Sequence, residues 1–155
     1  MENINAFKAA LSALLAALTA LWGWFGWLVI AWISCMAIDY ITGSCAAIRA
    51  GKWSSSVARD GIWHKMGCAV AVIVAAILDM VIGMILTNIP SVTLPFTYEV
   101  FFCPLVLVWY ILTETGSIIE NAGALGAPIP AWLTKMIAAL ESKVDQAGDN
   151  MSSKE

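Results

Sequence analysis

Carboxylate side chains interrupt the long apolar stretches of this sequence. Asp39, Asp79 and Glu114 each lie inside or near the end of a segment that is otherwise hydrophobic. A charge at mid-bilayer costs roughly 3 kcal/mol or more, so such residues usually face a partner, an aqueous cavity or an interface. We interpret these three residues as candidate pore or oligomer positions. For Asp39 and Glu114 an alternative stays open, in which they lie near the headgroups and pair with Arg49 or Lys65.

Enzyme chemistry finds no support in the sequence. The chain has a single histidine, His64, and its cysteines form no CxxC pair, so neither a zinc site nor a haem-ligand pair is indicated. A P-loop, a dinucleotide-binding fingerprint and a nucleophile–base–acid set are also missing. We therefore expect no enzymatic activity, no catalytic residue, no cofactor and no bound metal. The cysteines are expected to act as small buried apolar residues: Cys35, Cys45, Cys68 and Cys103.

The segments that carry the carboxylates are long enough to cross a bilayer. Residues 9–38 contain no formal charge, and residues 66–98 contain only Asp79. A membrane-spanning helix needs about 20 apolar residues, fewer than either run provides. With 61% hydrophobic and only 12% charged residues, the composition also lies outside the usual range of soluble domains. The sequence predicts an integral membrane protein.

Helical periodicity and its interruptions predict an all-α fold with three to four transmembrane helices and a C-terminal amphipathic helix in the interface. A single helical membrane domain is expected over residues 1–147, followed by a polar, disordered tail over residues 148–155. A kink is expected at Pro104, whose ring removes a backbone hydrogen bond. Whether the first helix spans the membrane is left open. The predicted helices cover about residues 4–21, 27–48, 54–85, 98–119 and 131–145.

A short segment between two apolar runs concentrates basic residues. Arg49, Lys52, Arg59 and Lys65 lie there beside one acid, Asp60. By the positive-inside rule this basic loop is cytoplasmic, and alternation of the spans then places the C-terminus in the cytoplasm too. We expect a multi-pass protein of the bacterial cytoplasmic membrane. Because topology explains the four cations, no nucleic-acid partner is expected, whereas membrane lipid is.

Small residues recur along the first helix. Ala9, Ala13, Ala17 and Ala20 give small-xxx-small spacings, which allow helices to approach closely in lipid. They are candidate helix-packing positions and favour self-association into a homo-oligomer. The alternative is that alanine is simply common in apolar helices.

Three motifs occur in order. They are Asp39-Tyr-Ile-Thr-Gly43 at the end of an apolar helix, Gly51-Lys-Trp-Ser-Ser-Ser56 leading into Gly61-Ile-Trp-His-Lys-Met-Gly67, and Ser117-Ile-Ile-Glu-Asn121 leading into Gly126-Ala-Pro-Ile-Pro130. Together they resemble the bacteriophage holin group known as toxin secretion/phage lysis holins, over about residues 27–140. Ser56 and Asp60 stand where that group commonly has lysine or arginine.

The resemblance implies a non-enzymatic membrane protein that oligomerises and opens timed lesions. Its functional partner would be a cell-wall endolysin, released to cause host lysis; some relatives are linked instead to secretion of large toxins. Two alternatives stay open from the sequence. One is a small proton or ion channel or transporter that uses the intramembrane carboxylates as a relay, and the other is an antiholin or membrane-anchor subunit.

Overall fold

The computed structural model describes the backbone of residues 2–89, 91 and 100–152, and the side chains of most of them. Within this part of the chain all regular structure is helical: α1 (Glu2–Arg49), α2 (Ser55–Asn88), α3 (Phe102–Ala124) and α4 (Ala131–Ser152). Three segments are long and apolar enough to cross a membrane, namely Phe25–Arg49, Ser55–Asn88 and Phe102–Ala124. The predicted all-α membrane fold is confirmed.

Helix α1 is interrupted at Gly23, where the backbone has φ 56° and ψ −146°. An L residue with a side chain rarely adopts this conformation, whereas glycine does so at little cost. The break lies between the two predicted helices 4–21 and 27–48, and the membrane-length segment starts just after it, at Phe25. Of the four predicted packing alanines, Ala9 and Ala13 are exposed, while the side chains of Ala17 and Ala20 lie outside the described residues.

The other helix ends follow from local chemistry. Ser54 caps α2 by accepting a hydrogen bond of 3.3 Å from the Val57 amide. Helix α3 begins at Phe102 and ends at Ala124, some residues later at each end than the predicted 98–119. Pro104 consequently lies in the first turn, where its missing N–H has no intrahelical acceptor to lose. The predicted kink at Pro104 is therefore wrong.

One stripe of α2 faces its neighbours in the bundle. The buried residues Cys68, Val72, Ala75 and Asp79 are three to four positions apart, and they pack towards the buried Cys103 and Leu107 of α3 and Trp32 of α1. This is the spacing of helices that pack side by side. Both α1 and α2 pack mainly on α3, which is thus the central helix. The remaining surfaces of α1 and α2 expose large apolar side chains, as expected for helices surrounded by lipid.

Helix α4 folds back along α3. Its inward residues include the buried Ile137, and it starts after a turn that contains Gly126 at φ +93°. The helix continues to Ser152, so residues 148–152 are helical where the sequence predicts disorder. The predicted division of the segment into an apolar and a charged face is matched only in part. Ile137 is buried against α3 and Lys135 is exposed, but Trp132, Met136 and Leu140 are exposed as well, and two carboxylates of α4 face α3.

Candidate functional site

Lys65 connects three helices through two carboxylates. Its Nζ lies 3.0 Å from Asp39 Oδ2 of α1 and 2.5 Å from Glu114 Oε2 of α3. All three side chains are at least four-fifths buried, with exposed fractions of 17%, 20% and 7% for Lys65, Asp39 and Glu114. A charge pair that is withdrawn from water needs close geometry and further hydrogen bonds to be tolerated. We call Asp39, Thr42, Lys65, Glu114 and Asn121 the polar cluster.

Asn121 and Thr42 supply the further hydrogen bonds. Asn121 Nδ2 donates to Asp39 Oδ1 at 3.0 Å and to Thr42 Oγ1 at 3.3 Å. Thr42 in turn donates to the carbonyl oxygen of Ile38, 2.9 Å away. A Cβ on Gly43 would lie only 3.3 Å from Asn121 Nδ2, so glycine is what allows α1 and α3 to come this close. The Asp-Tyr-Ile-Thr-Gly motif is thus the α1 half of a helix–helix contact.

A cleft of about 330 Å³ opens beside the polar cluster. Its walls come from α1, α2 and α3, with Tyr40, Trp53 and Glu120 next to members of the cluster. The cleft lies at the end of the bundle that carries the exposed residues Arg49 and Lys52. The cleft has room for water beside the charged groups, whereas the exposed faces of α1 and α2 are apolar.

Asp79 forms a second polar site with the start of α3. Its carboxylate accepts hydrogen bonds from the backbone N–H groups of Phe101, Phe102 and Cys103, at 3.1, 2.9 and 2.7 Å. The first turn of a helix leaves such donors without intrahelical partners and carries partial positive charge, which a carboxylate neutralises. The residue is 7% exposed. Of the surroundings expected for an intramembrane carboxylate, Asp79 thus has a partner, because its oxygens accept hydrogen bonds inside the protomer. Its assignment as a pore or oligomer position stays a prediction.

The three candidate carboxylates are brought together only in part. Asp39 and Glu114 both pair with Lys65. Asp79 lies fourteen positions after Lys65 on α2, a distance of about 21 Å along the helix. The sequence hypothesis of pairing with Lys65 matches the observed geometry for both Asp39 and Glu114. Their pairing with Arg49 does not occur, since that guanidinium instead donates to the carbonyl oxygen of Leu125.

The predicted basic loop separates into two groups. Arg49, Lys52 and Arg59 are exposed at one end of the bundle. Lys65 belongs to the polar cluster instead, because it lies three positions before Cys68 on the packed stripe of α2 and so faces α1 and α3. Its charge is therefore neutralised inside the protomer and is not offered to lipid headgroups.

Sequence reasoning missed several members of these sites. Asn121 ends the motif Ser117-Ile-Ile-Glu-Asn121. Its spacing could have identified it as a member of the site, since a residue seven positions after Glu114 lies on the same face of α3. Two carboxylates of α4 were also missed as bonding groups. Trp109 Nε1 donates to Asp145 at 2.7 Å, and Thr113 Oγ1 donates to Glu141 at 2.8 Å.

Metal ligands are not clustered among the described residues. Over this part of the chain, no three His, Cys, Asp or Glu side chains come together in a group that could hold an ion. His64 is exposed, and the cysteines are all free. The chemistry of the site is that of charge pairing and hydrogen bonding between helices.

Comparison with known proteins identifies the family of this chain. An uncharacterized protein of Halalkalibacterium halodurans is 35% identical over 109 residues, which cover 70% of this chain and 74% of the relative. An uncharacterized 14.9 kDa protein from the nagH 3′ region of Clostridium perfringens is 29% identical over 106 residues, covering 68% and 70%. No solved structure matches the chain. The profile of the bacteriophage holin family matches residues 16–142, a stretch that contains all three membrane-length segments, so the chain belongs to this family of non-enzymatic membrane proteins.

Proposed function

We propose that the protein is a holin that accumulates in the bacterial cytoplasmic membrane, oligomerises and opens lesions at a set time. The lesions release an endolysin to the cell wall and cause host lysis; a large toxin is the alternative cargo. The observation that carries this proposal is the family match across residues 16–142. The protein's partners would thus be other copies of itself, membrane lipid and the endolysin.

The protomer is suited to accumulating in lipid before any lesion forms. Its charged cluster and the Asp79 site are both directed inward, and the outer faces of α1 and α2 are apolar. Dispersed copies can therefore stay in the bilayer without exposing a buried charge to hydrocarbon. In this proposal Asp39, Asp79 and Glu114 hold the protomer together, and lesions arise from contacts between intact protomers.

The exposed basic residues support a topology. By the positive-inside rule, Arg49 and Lys52 favour a cytoplasmic α1–α2 connection, and with three alternating spans the α2–α3 connection would then be outside and the α3–α4 turn inside. The contact of Arg49 with Leu125 supports a common side for the first and last of these connections. We propose that the C-terminus is cytoplasmic while the protein is dispersed.

A proton or ion relay is less well supported. The hydrogen bonds described above do not connect Asp79 with the polar cluster, from which it is separated by about 21 Å along α2. A relay would need water or further groups to bridge that distance. Selective ion flux in the co-expression experiment described next would favour the relay.

Co-expression with a cytoplasmic murein hydrolase that lacks an export signal tests the proposal. We expect abrupt lysis at a reproducible time, preceded by collapse of the membrane potential. Without the hydrolase, growth should stop at the same time but the culture should not clear. Survival with an intact potential, despite verified membrane insertion, would overturn the proposal. Selective ion flux without passage of the hydrolase would indicate the channel, and delayed lysis by a second holin would indicate the antiholin.

A further inference from the structure

Helix α4 runs antiparallel to α3 over almost its whole length. At the turn, a Cβ on Gly123 would lie 3.7 Å from Ile129 Cγ1, and at the far end a Cβ on Gly148 would lie 3.9 Å from Leu105 Cδ2. Residues 105–123 of α3 correspond to about 27 Å of helix, close to the roughly 30 Å of a bilayer's hydrocarbon core. Because α3 is one of the membrane-length helices, α4 in this arrangement lies at membrane depth along its length.

Side chains of α3 bind α4 at intermediate depth. The hydrogen bonds from Thr113 to Glu141 and from Trp109 to Asp145 both join a neutral donor on α3 to a carboxylate on α4. Hydrogen bonds with an ionised partner are shorter and stronger than those between neutral groups. With Ile137 buried between them and the turn, these contacts fix both the depth and the rotation of α4.

The rotation leaves one polar strip facing away from the bundle. Lys135, Ser142 and Gln146 are exposed and recur at intervals of seven and four, which puts them on one side of α4. Gln146 Nε2 donates to Ser142 Oγ at 3.5 Å, and the remaining polar atoms of the strip face outward. The exposed faces of α1 and α2 are apolar, so the strip makes one sector of the protomer's lateral surface polar, beside the exposed apolar residues Trp132, Met136 and Leu140 of the same helix. Helix α4 is not among the segments apolar enough to span alone.

We propose that α4 inserts beside α3 in the assembled lesion, and that the strip formed by Lys135, Ser142 and Gln146 lines its water-filled lumen. This inference rests on the proposed holin function. Hydrocarbon offers no water to such a polar sector, whereas several copies that turn these sectors towards a common centre can hydrate all of them. In the lesion the polar strip of α4 therefore faces water that is enclosed by further copies of this chain.

The inference also predicts where the end of α4 lies. Residue 148 is level with Leu105, near the α3 end that the proposed topology puts outside. The assembled state therefore carries residue 148 to the outer side, in contrast to the cytoplasmic C-terminus proposed for dispersed copies.

A disulfide lock tests the placement of α4. Leu105→Cys combined with Gly148→Cys should be joined by disulfide bonds on the oxidising outer side, either directly or through a short bis-methanethiosulfonate reagent, as detected by mass spectrometry of the linked peptides. We expect the locked protein to lyse cells within about twofold of the wild-type time, because the lock holds the functional arrangement. Loss of lysis that a reducing agent restores would overturn the inference, as would absence of both links from inserted protein. Each single substitution serves as a control.

Labelling of the locked protein tests the lumen. Ser142→Cys and Leu140→Cys lie at similar depth on different sides of α4, and both wild-type side chains are exposed. After lesions form, a membrane-impermeant maleimide should label position 142 at least tenfold faster than position 140, measured as the increase over the locked parent. Equal labelling would contradict a polar lumen. If the wild-type protein lyses cells but the lock or the labelling fails, only the placement of α4 is wrong; if the wild-type protein never lyses cells, the holin proposal fails first.

Discussion

The carboxylate of Asp79 on α2 accepts a hydrogen bond of 2.7 Å from the backbone N–H of Cys103 on α3. Neighbouring amides of α3 donate to the same carboxylate, so one side chain caps a helix to which it does not belong. Because the bonds cross between helices, they fix where α3 starts and also how it is placed against α2.

Replacement of Asp79 by alanine should destabilise the bundle. The change leaves buried N–H groups without an acceptor, and we expect the free energy of unfolding to fall by about 2 kcal/mol or more. Asp79→Asn should cost less, since its amide oxygen still accepts. Unfolding in mixed detergent, followed by circular dichroism, measures the difference. The exposed Asp60 of the same helix provides the control Asp60→Asn, and an equal loss there would contradict the capping role.

Replacement of Lys65 by methionine should be among the most damaging single changes in the cluster. It leaves the Asp39 and Glu114 carboxylates close together without a counter-charge, at a cost of about 3 kcal/mol. Adding Asp39→Asn and Glu114→Gln should recover part of the lost stability, because neutral amides can bond to each other. The same unfolding measurement decides: a triple variant no more stable than Lys65→Met would show that charge is not the cause.

A bulky side chain at position 43 should weaken the contact between α1 and α3. Gly43→Leu forces Asn121 away from α1, and we expect a loss of about 1–3 kcal/mol in the free energy of unfolding. Gly67→Leu is the matched control, because a Cβ there meets nothing within 4 Å. Similar losses in the two variants would indicate a general effect of glycine replacement and not a close helix contact.

Arg49 should hold the turn that follows α3. Its guanidinium donates to the Leu125 carbonyl, where it also faces the negative end of the α3 dipole, an interaction of about 0.5–1 kcal/mol. Arg49→Ala should therefore speed proteolysis in the 125–130 turn of detergent-solubilised protein by about twofold to fivefold. Lys52→Ala removes a nearby exposed charge and should leave the rate unchanged.

Sequence alone could predict the spans but not their partners. Charge-free runs such as residues 9–38 identify membrane helices because lipid excludes charge over a fixed thickness. The periodicity of α2 shows that Lys65, Cys68 and Asp79 share a face, yet it does not say which helix lies opposite. The partners of Asp79 cannot be recognised in the sequence, because they are backbone amides, which every residue except proline has and which leave no pattern there.

The sequence of α4 likewise does not reveal what its apolar face contacts. Its alternation of apolar and charged residues predicts an amphipathic helix, and a membrane surface or a neighbouring helix can receive such a face equally well. In the structure α4 packs on the neighbouring helix α3, where Trp109 donates a hydrogen bond to Asp145 and Thr113 donates one to Glu141. Nothing in the hydropathy of α3 distinguishes these donors from ordinary residues of a span.

The central place of α3 has a consequence for biosynthesis. Since α1 and α2 pack mainly on α3 and little on each other, the first two spans leave the ribosome before their common neighbour exists. During that interval the Asp79 carboxylate lacks the α3 amides, and Lys65 can reach Asp39 but not Glu114. Completion of each newly made copy thus waits for translation of residues 102–124, and every nascent chain remains immature until then.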